Sequence, residues 1–202
     1  RLRDAMWAGL SLGFGLVFYT AFRLYTLALL IFALVAVPLY WRWLVATLRD
    51  GGWAAQLARL FTLLLAGWLV VMPIVKFALD NPEAFWYRTR QISIFTKRDQ
   101  ADLGQALQQS TSKHLLMFNY QGDKNGRHNL PGAPMLDPAM AIFFVLGSGL
   151  ALARPRYPAN TFFLLLMPIA LAGGIFSVDF EAPQSLRSIA VMPAAIYFCG
   201  LA

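Results

Sequence analysis

The chain has 202 residues, with 17 Lys and Arg against 10 Asp and Glu for a formal net charge of +7; 58% of it is hydrophobic, 14% aromatic and only 13% charged. That balance, with a positive mean hydropathy, excludes an ordinary soluble domain and marks a membrane protein. The lone cysteine, Cys199, lies in an apolar run, which excludes a disulfide framework and a thiolate metal site.

A hydrocarbon core about 30 Å thick needs roughly 20 mostly apolar helical residues. Runs of that kind predict an all-α, polytopic transmembrane bundle with spans at about 5–18, 24–41, 57–79, 138–153, 161–176 and 189–202, and an external loop over 80–137. The connection from Tyr19 to Arg23 contains no Gly or Pro, which leaves one long bent segment as the alternative to two separate spans there. The chain opens at Arg1 without a cleavable leader pattern and the last apolar run stops at Ala202, which makes an internal to C-terminal piece of a longer protein the expectation.

Lys and Arg in short loops are retained on the cytoplasmic side. Arg1 and Arg3, then Arg42, Arg49 and Arg59, then Arg154 and Arg156 fall in alternate connections, so all can be cytoplasmic at once. The loop 80–137 and the stretch "SVDFEAPQSLRS" then face outward, carrying Asp80, Glu83, Asp99, Asp102, Asp123, Asp137, Asp179 and Glu181. The expected location is the cell membrane, with the active face extracytoplasmic.

Within the external loop, Asn81 and Pro82 signal a turn, and Phe85, Trp86 and Tyr87 beside Arg88 and Arg90 give the mixture of an interfacial segment. From Asp99, a candidate cap, the spacing of Leu103, Leu107, Ser110, His114, Leu115 and Phe118 predicts a helix. "NYQGDKNGRHNLPGAPMLDP" follows as a loop broken by glycine and proline. Gly9 with Gly13, Gly147 with Gly149 and Gly173 with Gly174 suit close helix packing, and Pro73, Pro168 and Pro193 predict kinks.

Each polar candidate has two readings. Arg23 is an interfacial snorkelling side chain or a ligand group. Arg88 and Arg90 face different ways on a helix, so one can grip a phosphate while the other meets water. Arg127, His128 and Asn129 precede a Pro-Gly turn and are a solvated loop or part of a site. Asp179, Glu181 and Arg187 sit in a link so short that they must lie near the membrane surface, as an internal ion pair or as ligand groups. Pro183 bends that link, and Ser185 suits a cap for the next helix with Arg187 in its first turn. An arginine there opposes the helix dipole, so an external anion would explain it. His114 and His128 lack metal-ligand spacing, and no nucleotide loop, zinc-protease helix or nucleophile elbow is present.

Taken together, "GLSLGFGLVFYTAFRLYTLALLIF", "NPEAFWYRTRQISIF", "KHLLMFNYQGDKNGRHNLPGAPMLDP" and "GIFSVDFEAPQSLRSIAVMPA" resemble the membrane glycosyltransferases of the C-type fold. The resemblance is to the bacterial branch similar to dolichyl-phosphate-mannose protein mannosyltransferases and aminoarabinose transferases, glycosyltransferase family 39. It implies transfer of a sugar from a polyprenyl-phosphate donor to a glycan, lipid or protein acceptor on the outer face, with the catalytic carboxylate in a loop upstream of Arg1. Arg187, Arg88, Arg127 and Arg23 are then the donor phosphate-binding candidates, because a guanidinium grips phosphate oxygens bidentately and keeps its charge. Asp179, Glu181, His128 and Asn129 would orient the arginine or bind sugar hydroxyls. No cofactor, metal site or nucleic-acid partner is expected beside the lipid bilayer, and dependence on a divalent metal stays open. A transporter or flippase segment, or a non-catalytic anchoring bundle, is the alternative; the first predicts an internal repeat, which the sequence does not display.

Overall fold

Apolar stretches bounded by Pro, Gly and charged residues become helices throughout the computed structural model, which describes residues 1–97 and 100–202. Among them the elements are α1 (Leu2–Phe18), α2 (Phe22–Leu39), α3 (Trp41–Gly51), α4 (Trp53–Asp80), α5 (Pro82–Ile92), α6 (Ile94–Lys97), α7 (Gln100–Leu116), α8 (Pro138–Ala153), α9 (Pro158–Ile175) and α10 (Met192–Leu201), with 3-10 turns at Asp179–Glu181 and Ile189–Val191. No strand occurs among the described residues; an isolated antiparallel bridge joins Ser93 to Ser177. The fold is all-α, and α2, α4 and α9 are long and apolar enough to cross a membrane. The expected spans at α1, α8 and α10 are shorter, at 17, 16 and 10 helical residues. The chain divides into two compact units, Arg1–Trp86 and Tyr87–Ala202.

In the first unit, α1 and α2 are separate helices rather than one bent segment. The break follows Phe18, where Tyr19 takes an extended conformation. Close packing of α1 on α4 is made by absent side chains: a Cβ built on Gly9 would come 2.1 Å from the Leu63 carbonyl oxygen, and one on Gly13 2.9 Å from that of Gly67. Only 6% of the apolar windows of α2 and α4 is buried. Leu30, Leu34, Phe61, Leu64, Trp68 and Leu69 point outward, the reverse of a soluble pattern and the arrangement lipid requires.

The link expected between the second and third spans is instead the helix α3. Trp41, Leu44, Val45 and Leu48 recur on one face at steps of three and four, the apolar stripe of an amphipathic helix. Leu44, Val45 and Leu48 are half-buried, while Arg42, Arg49, Trp41 and Trp43 are exposed, as in a helix lying along a bilayer interface. Pro38 and Pro73 lie inside α2 and α4.

In the second unit, α8 and α10 meet where a Cβ on Gly147 would lie 1.7 Å from the Phe198 carbonyl oxygen. Phe118, Phe144 and Phe198 continue that contact as a chain of rings with centroids 5.0 and 6.1 Å apart. Asp137 caps α8, its side chain accepting from the amides of Ala139 and Met140 at 3.0 and 3.1 Å, and Pro138 opens the helix where a missing N–H costs nothing. Pro193 likewise stands in the first turn of α10, so it starts a helix instead of kinking one. A Cβ built on Gly149 would meet nothing within 4 Å among the described residues, so no close helix approach depends on this glycine. The cap expected at Asp99 lies outside the described residues, but the helical spacing downstream of it is realised as α7.

Candidate functional site

Two segments far apart in sequence build the polar centre of the second unit: the loop after α7 and the turn before α10. Ser110 and His114, one helical turn apart on α7, are fully buried. The Ser110 hydroxyl donates to the Ile175 carbonyl at 2.9 Å, which ties α7 to the end of α9. His114 Nδ1 lies 2.7 Å from the Ser110 carbonyl oxygen. A carbonyl only accepts, so Nδ1 carries the proton, and the bare Nε2 accepts the Gln184 N–H at 3.0 Å. Both ring nitrogens are thereby committed to a neutral imidazole. Burial pushes the His114 pKa down, against the upward pull of the Ser110 carbonyl and the Asp123 charge. Gly174 makes room for this arrangement: a Cβ there would stand 2.3 Å from both His114 Nε2 and Ser188 Oγ.

The loop is no open coil. Met135 and Leu136 donate from their amides to the carbonyls of Met117 and Phe118 at 2.9 and 3.1 Å, and Gly132 donates to Asp123 at 2.8 Å. Gly122 is needed where the strands of the loop cross, since a Cβ would lie 2.1 Å from the Ala133 carbonyl oxygen. Folded this way, the loop buries the Asp123 carboxylate, with its side chain 4% exposed. One oxygen accepts the Asn125 amide at 2.8 Å. The other accepts both His128 Nδ1–H at 2.9 Å and the Ser185 amide at 3.0 Å. Burial alone would raise the Asp123 pKa, but the Asn125 and Ser185 amides and His128 together hold it below the usual carboxylate range.

The turn 184–188, preceded by a cis Ala182–Pro183 bond, is therefore gripped through consecutive amides, Gln184 by His114 and Ser185 by Asp123. Gln184 Oε1 accepts the Arg187 amide at 2.8 Å. This corrects the expected cap: Gln184, not Ser185, receives the free amide, and Arg187 stands ahead of the 3-10 turn at Ile189 and of α10 rather than in a first helical turn. The helix-dipole reason for an anion therefore does not apply.

A different reason takes its place. Arg187 Nη2 pairs with Glu181 Oε2 at 2.8 Å, while Arg187 Nη1 is buried with no hydrogen-bond partner among the described residues, as are the hydroxyls of Ser185 and Ser188. A buried polar group left unpaired costs about 1–3 kcal/mol, and more when charged. Unpaired donors gathered on one short turn mark a place where a ligand with acceptor atoms would complete the bonding. The ion pair uses one side of the guanidinium and leaves the other.

The remaining candidates lie on other elements and make local contacts. Asn129 Nδ2 donates to the Ala133 carbonyl at 2.9 Å and holds the loop closed. Arg127 is exposed, with its amide on Asn125 Oδ1 at 3.1 Å; Arg88 and Arg90 are exposed on α5. The end of α5 is stitched to the start of the link, Val178 donating to Ile92 at 2.9 Å and Ile94 to Phe176 at 3.0 Å. Asp179 lies half-buried in the first 3-10 turn. Arg23 belongs to the first unit, where its guanidinium carbon lies 4.9 Å from the centroid of Phe85, a cation–π contact in the first turn of α2. No group of three His, Cys, Asp or Glu side chains suited to a metal occurs among the described residues.

Asp123, His114, Gly174 and Gln184 were absent from the sequence-derived site. The Asp-x-Asn spacing of Asp123 and Asn125 is a local turn signal, and Ser110 with His114 shares a helical face; neither reveals the partner across the unit. No family model, curated protein or solved structure matches the chain.

Proposed function

We propose that this chain is part of a membrane glycosyltransferase that moves a sugar from a polyprenyl-phosphate donor to a glycan, lipid or protein acceptor on the extracytoplasmic face. The observation that carries the reading is Arg187: a guanidinium held in place by Glu181 on one nitrogen, with the other buried and unpartnered. When the sugar leaves its carrier, negative charge grows on the phosphate, and a fixed cation in a partly desolvated turn stabilises that charge more than it does the bound donor. Ser185 and Ser188 offer hydroxyl donors on the same turn. Glu181 orients the arginine, and His114 and Asp123 fix the backbone that presents it. The apolar, outward-facing helices α2 and α4 support a bilayer setting, where a lipid-linked donor is at hand.

Replacing Arg187 with alanine in the enzyme that carries the whole catalytic site lowers transfer from the lipid-linked donor by roughly a hundredfold or more. Arg187→Lys keeps the charge but not the planar fork, and recovers only part of the rate. Unchanged turnover and unchanged donor affinity in Arg187→Ala would overturn the reading.

A further inference from the structure

Charge is distributed unevenly along the first unit. Gly9 approaches Leu63 and Ala66, and Gly13 approaches Gly67 and Val70, so residue numbers rise together on α1 and α4 and the two helices run in the same direction. The start of α1 and the start of α4 therefore share one end. The helix α3 runs into α4 through Gly52, at φ 70°, and belongs to that end as well. It carries Arg1, Arg3, Arg42, Arg49 and Arg59 against Asp4 and Asp50. At the opposite end, where Arg23 meets Phe85, Arg23 and Lys76 are balanced by Asp80 and Glu83. The excess of positive charge is confined to one end.

The same end collects tryptophans. Trp7, Trp41, Trp43 and Trp53 are all exposed, and they are four of the six in the chain. Tryptophan favours the level of lipid headgroups, where its ring meets hydrocarbon and its N–H meets water. Arg42 and Arg49 are seven residues apart, two turns of α3, so both project from one side of the helix beside the stripe of Leu44, Val45 and Leu48. Among the described residues no acidic side chain pairs with Arg3, Arg42 or Arg49. Where α2 bends into α3, Pro38, Leu39, Tyr40, Trp41, Arg42 and Trp43 line a hollow of about 400 Å³. Arg42 is the charged group of that lining, so the hollow suits an anion.

We propose that this end of the first unit binds anionic phospholipid, with a headgroup phosphate on Arg42 in the hollow at the α2–α3 bend and further anionic headgroups along Arg49 and Arg59. A zwitterionic headgroup carries no net charge to set against these arginines, whereas an anionic one does. The occupant is a lipid of the surrounding bilayer because the tryptophans and the outward apolar side chains of α2 and α4 set the hollow beside acyl chains. The surface belongs to the other unit from Arg187 and does not depend on the function proposed for that turn.

The test reconstitutes the purified chain, carrying Trp68→Phe and Trp86→Phe, in phosphatidylcholine vesicles that hold a minor fraction of phosphatidylglycerol. Bromine on the acyl chains of one lipid or the other quenches the tryptophans it touches, so paired samples report which lipid adjoins the tryptophans that remain. Phosphatidylglycerol is expected there at about fivefold its share of the bilayer. Arg42→Gln combined with Arg49→Gln returns the ratio to near unity, lysine at both positions keeps most of it, and Lys76→Gln at the opposite end leaves it unchanged. All three positions are exposed, so loss of the fold does not intervene. In the unmutated chain, salt that shortens the screening length from about 30 to about 3 Å removes the enrichment. Equal quenching by the two brominated lipids, or enrichment that survives the double glutamine variant, overturns the proposal. An equal fall in Lys76→Gln overturns it too, by reducing the effect to overall charge. Displacement by inorganic phosphate at constant ionic strength would assign the hollow to a soluble anion, and shielding from both lipids with cross-links between copies through α3 would assign the face to a second chain; either result overturns the lipid.

Discussion

The two compact units solve the problem of cohesion by opposite means. In Arg1–Trp86 the buried non-glycine residues are Ala28 and Ala66, and the closest helix contact runs through Gly9 and Gly13 onto backbone. In Tyr87–Ala202 lie all the buried polar side chains among the described residues: Ser110, His114, Asp123, Asn160, Thr161, Ser177, Gln184, Ser185 and Ser188. Lipid supplies little hydrophobic drive between helices, so the first unit relies on close approach of small residues. The second relies on hydrogen bonds that only particular side chains can make. A scaffold tolerates exchange among apolar residues, whereas a polar centre fails when one member is lost.

The sharpest way to break this contrast is to remove its hub. Asp123→Ala strips acceptors from His128 and from the Asn125 and Ser185 amides, and should destabilise the second unit by about 3–5 kcal/mol. Thermal unfolding in detergent measures the loss, and a change below 1 kcal/mol, on the scale of exposed pairs, would sink the hub assignment. Gly9→Val in the first unit forces α1 off the Leu63 carbonyl and should cost about 1–3 kcal/mol by overpacking. Cross-linking between α1 and α4 reports the separation; undiminished cross-linking would contradict the close approach.

Acid titration sharpens the comparison further. The His114 pKa is lowered on folding, so in the window below about 6.5 the unfolded chain binds the proton first and stability falls with pH, at most about 1.4 kcal/mol per unit. The Asp123 pKa is also lowered, so its stabilisation is present above the ordinary carboxylate value near 4 and fades as pH drops through the folded value. Both losses belong to the second unit. Urea or detergent unfolding followed by probes in each unit should show the second weakening first between about pH 6.5 and 4, and a His114→Gln variant with the same acid profile would exclude His114 as the cause. The smallest effect is expected at the surface: Lys76 pairs with Asp80 at 2.8 Å, but with side chains 70% and 54% exposed. Lys76→Ala should move stability by less than about 0.5 kcal/mol.

Much of the architecture was legible because it is local. Apolar runs gave the long helices, the steps from Leu103 to Phe118 gave α7, and Pro138 after Asp137 marked the start of α8. The pair between Glu181 and Arg187 lies within one short link and was among the alternatives there. The helix α3 was hidden by its own arginines: Arg42 and Arg49 drew it into a polar connection although Trp41, Leu44, Val45 and Leu48 carry the helical period. The receptors of the turn were illegible for another reason. Asp123 meets Ser185 across 62 residues and His114 meets Gln184 across 70, and each bond ends on a backbone amide, which leaves no complementary side chain to read.

That last feature sets how the molecule can change. The Gln184 and Ser185 amides are common to any sequence, so the form of the bend around Arg187 is stored in the imidazole and carboxylate that receive them, not in the bend itself. A segment spanning 177–188 transplanted alone would arrive without its mould. Carried over together with α7 and the Gly122–Ala133 loop, it should keep its shape.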